Sequence, residues 1–265
     1  MRNRTVQLVS CILLSNLGVS VAHASPKDDE ALTAQRHGLQ AAEPQRLKTE
    51  RDPAGGGRQV FHMRLDAADR KVANGQRTEV FTRDAATAEG VRWFALSVYV
   101  PAPWTPARLP ISLAQVHTSR MGVPVPPPIG FVVRGDDLAL LLREDQRQAP
   151  DQPLTQDQLN TRRVALGKLP LDRWVCWVLR SQWSKNADDR RLTVWDGRQQ
   201  VYDSGPAANS YLTRPGNYPK VGLYAPGGVA AASREMYADA IRVGRDESNF
   251  DDMFAKTPCG ELAKR

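Results

Sequence analysis

The chain has 265 residues, and 36 Lys and Arg residues against 29 Asp and Glu residues give it a formal charge of +7. Beyond residue 24, no stretch reaches the roughly 20 consecutive apolar residues that a membrane-spanning helix needs, so the sequence excludes a helical membrane protein. The basic charge favours a polyanionic partner, and it serves solubility equally well.

The first 24 residues have the layout of a secretory signal peptide. Arg2 and Arg4 precede an apolar stretch from Val6 to Val21, and the small-x-small triplet Ala22-His23-Ala24 follows it. We expect cleavage near Ala24 and export of the protein to the periplasm or the cell exterior. A lipoprotein signal at Cys11 is the alternative, but the apolar run before this cysteine is very short and continues well beyond it.

Residues 25–57 are charged and contain few large apolar side chains. They end in Pro53-Ala54-Gly55-Gly56-Gly57, so we expect a loosely ordered leader that precedes one folded domain over residues 58–265. Cys176 and Cys259 lie in this domain and could form one disulfide in an oxidising compartment, while Cys176 would equally make an ordinary small core residue. Their spacing gives no support to a zinc site.

The domain contains many short β-rich runs that are separated by Pro, Gly, Asp and Asn, which is typical of a sandwich or barrel. Long amphipathic helices are absent, and residues 155–165 are expected to form one or two helical turns. We therefore predict an all-β fold, a jelly-roll sandwich of the concanavalin A-like type with a concave substrate groove. The predicted strands are Val60 to Leu65, Arg77 to Thr82, Val91 to Val100, Ile111 to His117, Ile129 to Arg134, Leu138 to Arg143, Trp174 to Trp183, Arg191 to Trp195, Gln200 to Tyr202, Tyr218 to Tyr224 and Glu235 to Val243.

Alternation of side chains in two of these strands predicts a polar face. Successive strand residues point to opposite sides, so polar and titratable groups share one side while apolar residues such as Val221 and Leu223 share the other. Gly222 lies among the polar set and is expected to leave the groove floor open to a sugar ring. The residues that we expect on this face are Gln115, His117, Tyr218, Lys220, Gly222 and Tyr224.

These side chains suit the β-elimination of a uronic-acid polymer. That reaction neutralises the sugar carboxylate, removes the proton on C5 and protonates the departing C4 oxygen. Gln115 and Arg77 are the donors that could neutralise the carboxylate, and His117 is the natural base because free histidine titrates near pH ~6.5. Tyr224 is expected to act as the acid, or as both base and acid, with the cation of Lys220 favouring its ionised form.

Further residues are expected to bind the substrate along the groove. Glu79, Tyr218 and Lys220 lie within the same short segments as the groups above. Basic side chains elsewhere could bind further uronates of the polymer, or they could equally be solvated strand edges. These basic residues are Arg83, Arg92, Arg134, Arg143 and Lys185.

Three blocks of the sequence resemble a known family. Arg77-Thr78-Glu79, Gln115-Val116-His117 and the Tyr-x-Lys-x-Gly-x-Tyr segment from Tyr218 to Tyr224 resemble the signature blocks of the jelly-roll polysaccharide lyases, in the order seen in alginate lyases and the heparin lyase I-like group. Leu192 to Gly197 and Tyr237 to Gly244 are similar to strands of the heparin lyase I-like and glucuronan lyase group. The likeness covers roughly residues 59 to 245.

The resemblance implies a β-jelly roll whose concave sheet binds the polymer, and elimination to a product with a C4–C5 double bond. By matching position it implies acid/base roles for His117 and Tyr224, carboxylate neutralisation by Gln115 and Arg77, and substrate binding by Lys220. Some members bind a structural calcium ion, but no acidic loop here is specific enough for one, so no cofactor is expected.

Of two other functions on the same fold, the first remains open. A non-catalytic carbohydrate-binding module would use tryptophans such as Trp93, Trp104, Trp174, Trp183 and Trp195 as stacking platforms, although tryptophans in such strands are more often core residues. A jelly-roll glycoside hydrolase would need two facing carboxylates, and the Glu-x-Asp-x-(x)-Glu spacing typical of one is absent. The expected partner is an acidic polysaccharide, with no nucleic acid and no membrane, and the expected state is a monomer.

Overall fold

The structure is a computed structural model, and it describes residues 37–82, 89–118, 126–144, 159–184, 186–207, 209, 211, 216–229 and 233–264. All of these residues belong to one compact unit of the chain. No helix within these ranges is long and apolar enough to cross a membrane. The elements in chain order are β1 (His37–Ala41), β2 (Leu47–Arg51), β3 (Gln59–Leu65), β4 (Gln76–Thr82), β5 (Gly90–Tyr99), β6 (Ala107–Thr118), β7 (Ile129–Gly135), β8 (Asp137–Glu144), β9 (Asn160–Lys168), β10 (Trp174–Trp183), β11 (Arg191–Asp196), β12 (Gln199–Asp203), β13 (Asn217–Ala225), β14 (Arg234–Ala238), β15 (Arg242–Gly244), α1 (Phe250–Ala255) and α2 (Pro258–Leu262).

The strands form two antiparallel sheets, which confirms the predicted all-β jelly-roll sandwich. The first sheet has the order β1-β4-β13-β6-β7-β8-β9, and the second has the order β12-β11-β10-β5-β14-β3-β2, with β15 also paired to β5. Strands far apart in sequence, such as β4 and β13, are neighbours in the first sheet. This crossing of the chain brings the three resembling blocks together.

The main core lies between the two sheets, because alternate residues of each strand point inward. Phe131 of the first sheet stacks on Trp177 of the second, with ring centroids 4.0 Å apart and planes 11° from parallel. Val80 and Val116 join this core from β4 and β6, and Leu96 faces them from β5. The opposite face of the first sheet, which we call the outer face, therefore carries the side chains that alternate with these core residues.

The centre of the second sheet is buried on both of its faces, because a second cluster of apolar side chains covers part of the face away from the main core. Met253 and Phe254 of α1 pack on Trp93 and Val178, which lie on the side away from the main core. Asn249 caps α1 by accepting a hydrogen bond from the main-chain N–H of Asp252 at 3.0 Å. These short helices have no long apolar periodicity, which is why the strand pattern alone did not predict them.

A disulfide joins Cys176 of β10 to Cys259 of α2. It fixes the C-terminal helices against the second sheet, on the side of the sandwich opposite the outer face of the first sheet. Arg58 reinforces this attachment, because its guanidinium pairs with Asp239 at 2.6 Å and also with Glu261 of α2.

The prediction of a loosely ordered leader is wrong for residues 37–51. His37–Ala41 pairs with β4 and Leu47–Arg51 pairs with β3, so each closes one edge of a sheet. The expected helical turns are also wrong for residues 160–165, which belong to β9 at the other edge of the first sheet. In each case pairing with a neighbouring strand of the sheet outweighs a local composition that is poor in β-formers. Residues 155–158 lie outside the described residues.

Candidate active site

The outer face of the first sheet brings together seven of the residues predicted for the site. In the pairing of β13 with β6, Tyr218 lies opposite His117 and Lys220 lies opposite Gln115. In the pairing of β13 with β4, Tyr224 lies opposite Arg77. The seven residues, from three adjacent strands, are Arg77, Glu79, Gln115, His117, Tyr218, Lys220 and Tyr224.

Glu79 is the centre of a buried polar cluster. Its carboxylate accepts a hydrogen bond from the amide Nε2 of Gln115. It also forms ion pairs with Arg77 Nη1 at 3.0 Å and with Lys220 Nζ at 3.5 Å. The side chains of Arg77, Glu79 and Lys220 are 5%, 1% and 2% exposed. Because an unpaired buried charge is costly, these contacts fix each partner in one position.

Three residues that we predicted to contact substrate therefore bind Glu79 through their side chains; they are Arg77, Gln115 and Lys220. Gln115 donates its amide to this carboxylate, and its Oε1 is buried without a hydrogen-bond partner within the described residues. Arg77 Nε is likewise buried without a partner there, although Arg77 Nη2 donates to the carbonyl of Ala73 at 2.6 Å. The Nε–H of Arg77 is thus an unsatisfied donor of the cluster, and Oε1 of Gln115 is an unsatisfied acceptor.

Gln40 of β1 belongs to the same cluster, and sequence reasoning missed it. Its Oε1 accepts hydrogen bonds from Lys220 Nζ at 2.5 Å and from Arg77 Nη1 at 3.4 Å. Gln40 faces Glu79 across the pairing of β1 with β4. No motif surrounds this glutamine in the sequence, and only the pairing of β1 with β4 reveals its place in the cluster.

The charge balance of the cluster is reflected in the pKa of Lys220. Burial lowers the pKa of its ammonium group, the nearby Glu79 carboxylate acts in the opposite direction, and Arg77 lowers it further. Two basic side chains thus share one carboxylate in a buried environment. Such a cluster carries an excess of positive charge that favours an incoming anion.

The phenol ring of Tyr224 lies against the guanidinium of Arg77. The guanidinium carbon is 3.9 Å from the ring centroid, the geometry of a cation–π contact. Gly75 also lies against this ring, because a Cβ at this position would be 2.4 Å from Cε2 of Tyr224. The ring is thereby confined while the side chain as a whole is half-buried.

His117 is held in a defined tautomer. Its Nδ1 lies 2.7 Å from the carbonyl oxygen of Thr118, and because a carbonyl can only accept, Nδ1 carries the proton and Nε2 of the neutral ring is the basic atom. Burial lowers the pKa of His117; the Thr118 carbonyl raises it, Lys220 lowers it and Glu79 raises it. The imidazole also lies near the ring of Tyr218, with centroids 5.6 Å apart.

The expectation that Gly222 leaves an open floor for a sugar is wrong. Its φ is +140°, and a Cβ there would lie 2.2 Å from the carbonyl oxygen of Thr78 and 2.6 Å from Cα of Glu79. The missing side chain therefore allows β13 to approach β4 closely. The register of β13 against β6 also shifts between Val221 and Tyr224, a bulge of the kind that redirects a side chain beside a site.

The predicted basic residues are spread over the molecule. Arg134 is exposed on the outer face near the end of β7, and Arg143 of β8 is half-buried with Nη1 donating to the carbonyl of Pro127 at 3.0 Å. Arg92 lies on β5 in the second sheet, so of the two possibilities left open for it, a position in the groove is wrong. Arg83 and Lys185 lie outside the described residues.

The tryptophans proposed as stacking platforms are packed within the sandwich. Trp93, Trp174 and Trp183 are buried, and Trp104 and Trp195 are half-buried against hydrophobic clusters. Within the described part of the chain, no group of three or more His, Cys, Asp or Glu side chains could bind a metal ion.

Two kinds of comparison place the chain among known proteins. A family model described as polysaccharide lyase matches residues 29–242. An endo-β-1,4-glucuronan lyase from the fungus Trichoderma reesei has a similar structure, with a TM-score of 0.62 and 16% identity over 75% of this chain and 86% of that one. Alginate lyase A1-II′ is similar at a TM-score of 0.55 and 15% identity over 80% of this chain and 96% of that one. None of the curated proteins matches the sequence significantly.

Proposed function

The chain belongs to the polysaccharide lyase family, and from this membership we propose that it cleaves a uronic-acid-containing polysaccharide by β-elimination at the outer face of the first sheet. The observation that carries the proposal is the contact of Arg77 with Tyr224 beside the Glu79 cluster. A confined phenol, a basic cluster and a neutral imidazole are together the groups that this elimination requires.

The first role is neutralisation of the sugar carboxylate. Arg77 supplies the charged guanidinium and Gln115 its side-chain amide, and both groups contact Glu79. Glu79 orients both groups before the substrate arrives, so they need little reorganisation when negative charge develops on the carboxylate. The excess positive charge of the cluster stabilises the enolate-like intermediate in the same way.

The second role is proton transfer. Nε2 of His117 takes the proton from C5, the electrons of that bond form the C4–C5 double bond, and the bond between C4 and its glycosidic oxygen breaks. The hydroxyl of Tyr224 then gives its proton to that oxygen. In the alternative arrangement Tyr224 performs both transfers and His117 assists by binding the sugar, and the pH profile of a His117 variant distinguishes the two.

The substrate class follows from the family and from the cluster chemistry. The similar structures include lyases described as acting on glucuronan and alginate, both polymers of uronic acids. We propose an acidic polysaccharide of this class for the present protein, with substrates of the heparin lyase I-like group as further candidates. Lys220 and Glu79 support substrate binding through their buried contacts, and Tyr218 and Arg134 contribute from the outer face itself.

We also propose that the protein is exported to the periplasm or the cell exterior. The signal-like segment, residues 1–24, lies outside the described residues. The disulfide between Cys176 and Cys259 suits an oxidising compartment, where disulfides persist. In such a compartment the enzyme, which we expect to be a monomer, would meet acidic polysaccharides and not nucleic acid.

A substrate screen tests the proposed function. The purified protein is incubated separately with alginate, glucuronan, heparin, heparan and pectate, and the ultraviolet absorbance of the unsaturated uronide is followed. We expect absorbance to rise with at least one polymer. Tight binding of a polymer with no rise in absorbance for any of them would instead favour a non-catalytic carbohydrate-binding module.

A further inference from the structure

Arg163 lies on the outer face at the far edge of the first sheet. The strand register sets a row of residues across the sheet: Gln115 of β6 pairs with Gly130 of β7, Gly130 with Leu141 of β8, and Leu141 with Arg163 of β9. Residues paired in this way point to the same side of a sheet. Arg163 therefore shares its face with the active-site cluster.

The row between Gln115 and Arg163 consists of Gly130 and Leu141, which carry no charge. Gly130 has no side chain, and a Cβ there would find its nearest neighbour, Cγ2 of Val132, at 3.6 Å. Leu141 and Val132 are half-buried, and Ala139 beside them is small. A sugar chain that leaves the cluster in this direction meets a floor of small or apolar side chains without a competing carboxylate in the row.

The guanidinium of Arg163 is available to a ligand. Arg163 is exposed, and within the described residues it has no ion pair or side-chain hydrogen bond. Its neighbour Arg162 differs, since it points to the other side of β9 and donates to the hydroxyl of Tyr202 at 3.1 Å. The two arginines thus provide one free cation and one engaged cation on the same strand.

Arg143 adds a second basic side chain to this edge. In the pairing of β8 with β9, Arg143 lies opposite Thr161, so it is the diagonal neighbour of Arg163 on the same face. Burial lowers the pKa of Arg143, and its one described side-chain hydrogen bond is with a main-chain carbonyl. The carboxylate of Glu144 follows on the opposite face and accepts from Asn160 at 2.7 Å.

We propose that Arg163, with Arg143, binds the carboxylate of a uronate residue that lies several sugars from the cleaved bond. Gln115 of the cluster lies on β6 and Arg163 lies on β9, three strand-to-strand spacings away. This distance is about 14 Å. One pyranose ring cannot cover this distance, whereas an oligosaccharide can. The occupant is the substrate polymer itself, because a negative charge recurs on its sugars. This inference rests on the proposed function.

The direction of the polymer follows from the sheet order. On one side of β13 lie β4 and the edge strand β1, and on the other side lie β6, β7, β8 and β9. The side of the sheet with more strands therefore ends at β9, which carries Arg163. An enzyme built in this way gains binding energy from long substrates that it does not gain from short ones.

The test compares two arginines on one strand. Arg163→Ala and Arg162→Ala are each measured with a long uronate polymer that the wild type cleaves and with the shortest oligosaccharide that it cleaves. We expect Arg163→Ala to raise KM for the polymer about fivefold, the size of one exposed ion pair, with a clearly smaller effect on the short substrate. Arg162→Ala should match the wild type with both, and Arg163→Lys should restore part of the affinity.

The outcomes separate this inference from the proposed function. If the wild type cleaves a polymer but Arg163→Ala and Arg162→Ala have the same KM, the distant site is wrong while the lyase function stands. An equal loss by Arg163→Ala on long and short substrates also contradicts it. If the wild type cleaves no polymer, the proposed function itself fails. Thermal unfolding of each variant confirms that the exposed strand edge still folds.

Discussion

The guanidinium of Arg77 lies 3.9 Å from the ring centroid of Tyr224, and the same guanidinium pairs with Glu79 at 3.0 Å. Arg77 therefore joins the phenol to the buried carboxylate cluster. A cation–π contact of this kind contributes about 0.5 to 2 kcal/mol. The contact fixes where the phenol can meet a substrate, and several consequences can be measured.

Gly75→Ala tests the position of Tyr224 without changing its chemistry. The added methyl would lie 2.4 Å from Cε2 of the ring, so the ring must shift from its present position on Arg77. We expect kcat to fall roughly tenfold or more, because small misplacements of reacting groups are costly. The check is steady-state kinetics together with thermal unfolding; unchanged kcat in a folded variant would contradict a fixed phenol.

The pH dependence of activity tests His117. Burial lowers the pKa of this imidazole, so the ring stays neutral at pH values where a free histidine is half protonated. A protonated ring cannot accept the C5 proton, and we therefore expect the acidic fall of kcat/KM to lie below pH ~6.5.

His117→Gln supplies the control for this assignment. In that variant the acidic limb of the profile should disappear together with most of the turnover. A His117→Gln variant that retains the wild-type limb would transfer both proton steps to Tyr224, and a wild-type limb centred well above pH ~6.5 would contradict the lowered pKa.

Glu79→Gln tests the centre of the cluster. Removing the carboxylate leaves Arg77 and Lys220 buried without their shared counter-charge, and breaking such a pair costs about 3 to 5 kcal/mol of unfolding free energy. Gln40→Ala removes a neutral acceptor from the same two cations and should cost only about 1 kcal/mol. Denaturant unfolding of both variants measures this difference, and equal losses would contradict the central role of Glu79.

The disulfide is expected to stabilise the fold without affecting catalysis. Cys176 and Cys259 are 83 positions apart, and their bond joins β10 to α2 on the side opposite the outer face of the first sheet. Cys259→Ala should lower the free energy of unfolding by about 2 to 4 kcal/mol and leave kcat at low temperature unchanged. Loss of turnover in the folded variant would show that the two sides of the sandwich are coupled.

Much of the fold could be predicted from alternation. The prediction for β10 matches Trp174–Trp183 at both ends, because Val175 and Trp177 alternate regularly with Trp174 and Cys176. The three site strands were predicted for the same reason, and their residues share a face as expected. Periodicity reports what a strand buries, and buried strands have the strongest signal.

The sequence predicted less well what depends on pairing between strands. β1, β2 and β9 are edge strands without a regular apolar alternation, so nothing local distinguishes them from loops. Gln40 lies on such a strand, β1, and was therefore not predicted as a site residue. The engagement of Gln115 with Glu79, and the close packing of Gly222 on β4, depend on side chains meeting across strands. A linear sequence does not specify those contacts.

Tyr224→Phe tests the central claim most directly. This change removes one hydroxyl and keeps the ring on Arg77, and Tyr237→Phe on the second sheet is the matched control. With the best uronate polymer, we predict that Tyr224→Phe forms unsaturated product at least 100-fold more slowly than the wild type, as loss of a general acid implies, while Tyr237→Phe retains the wild-type rate. Product formation by Tyr224→Phe at the wild-type rate would contradict the account.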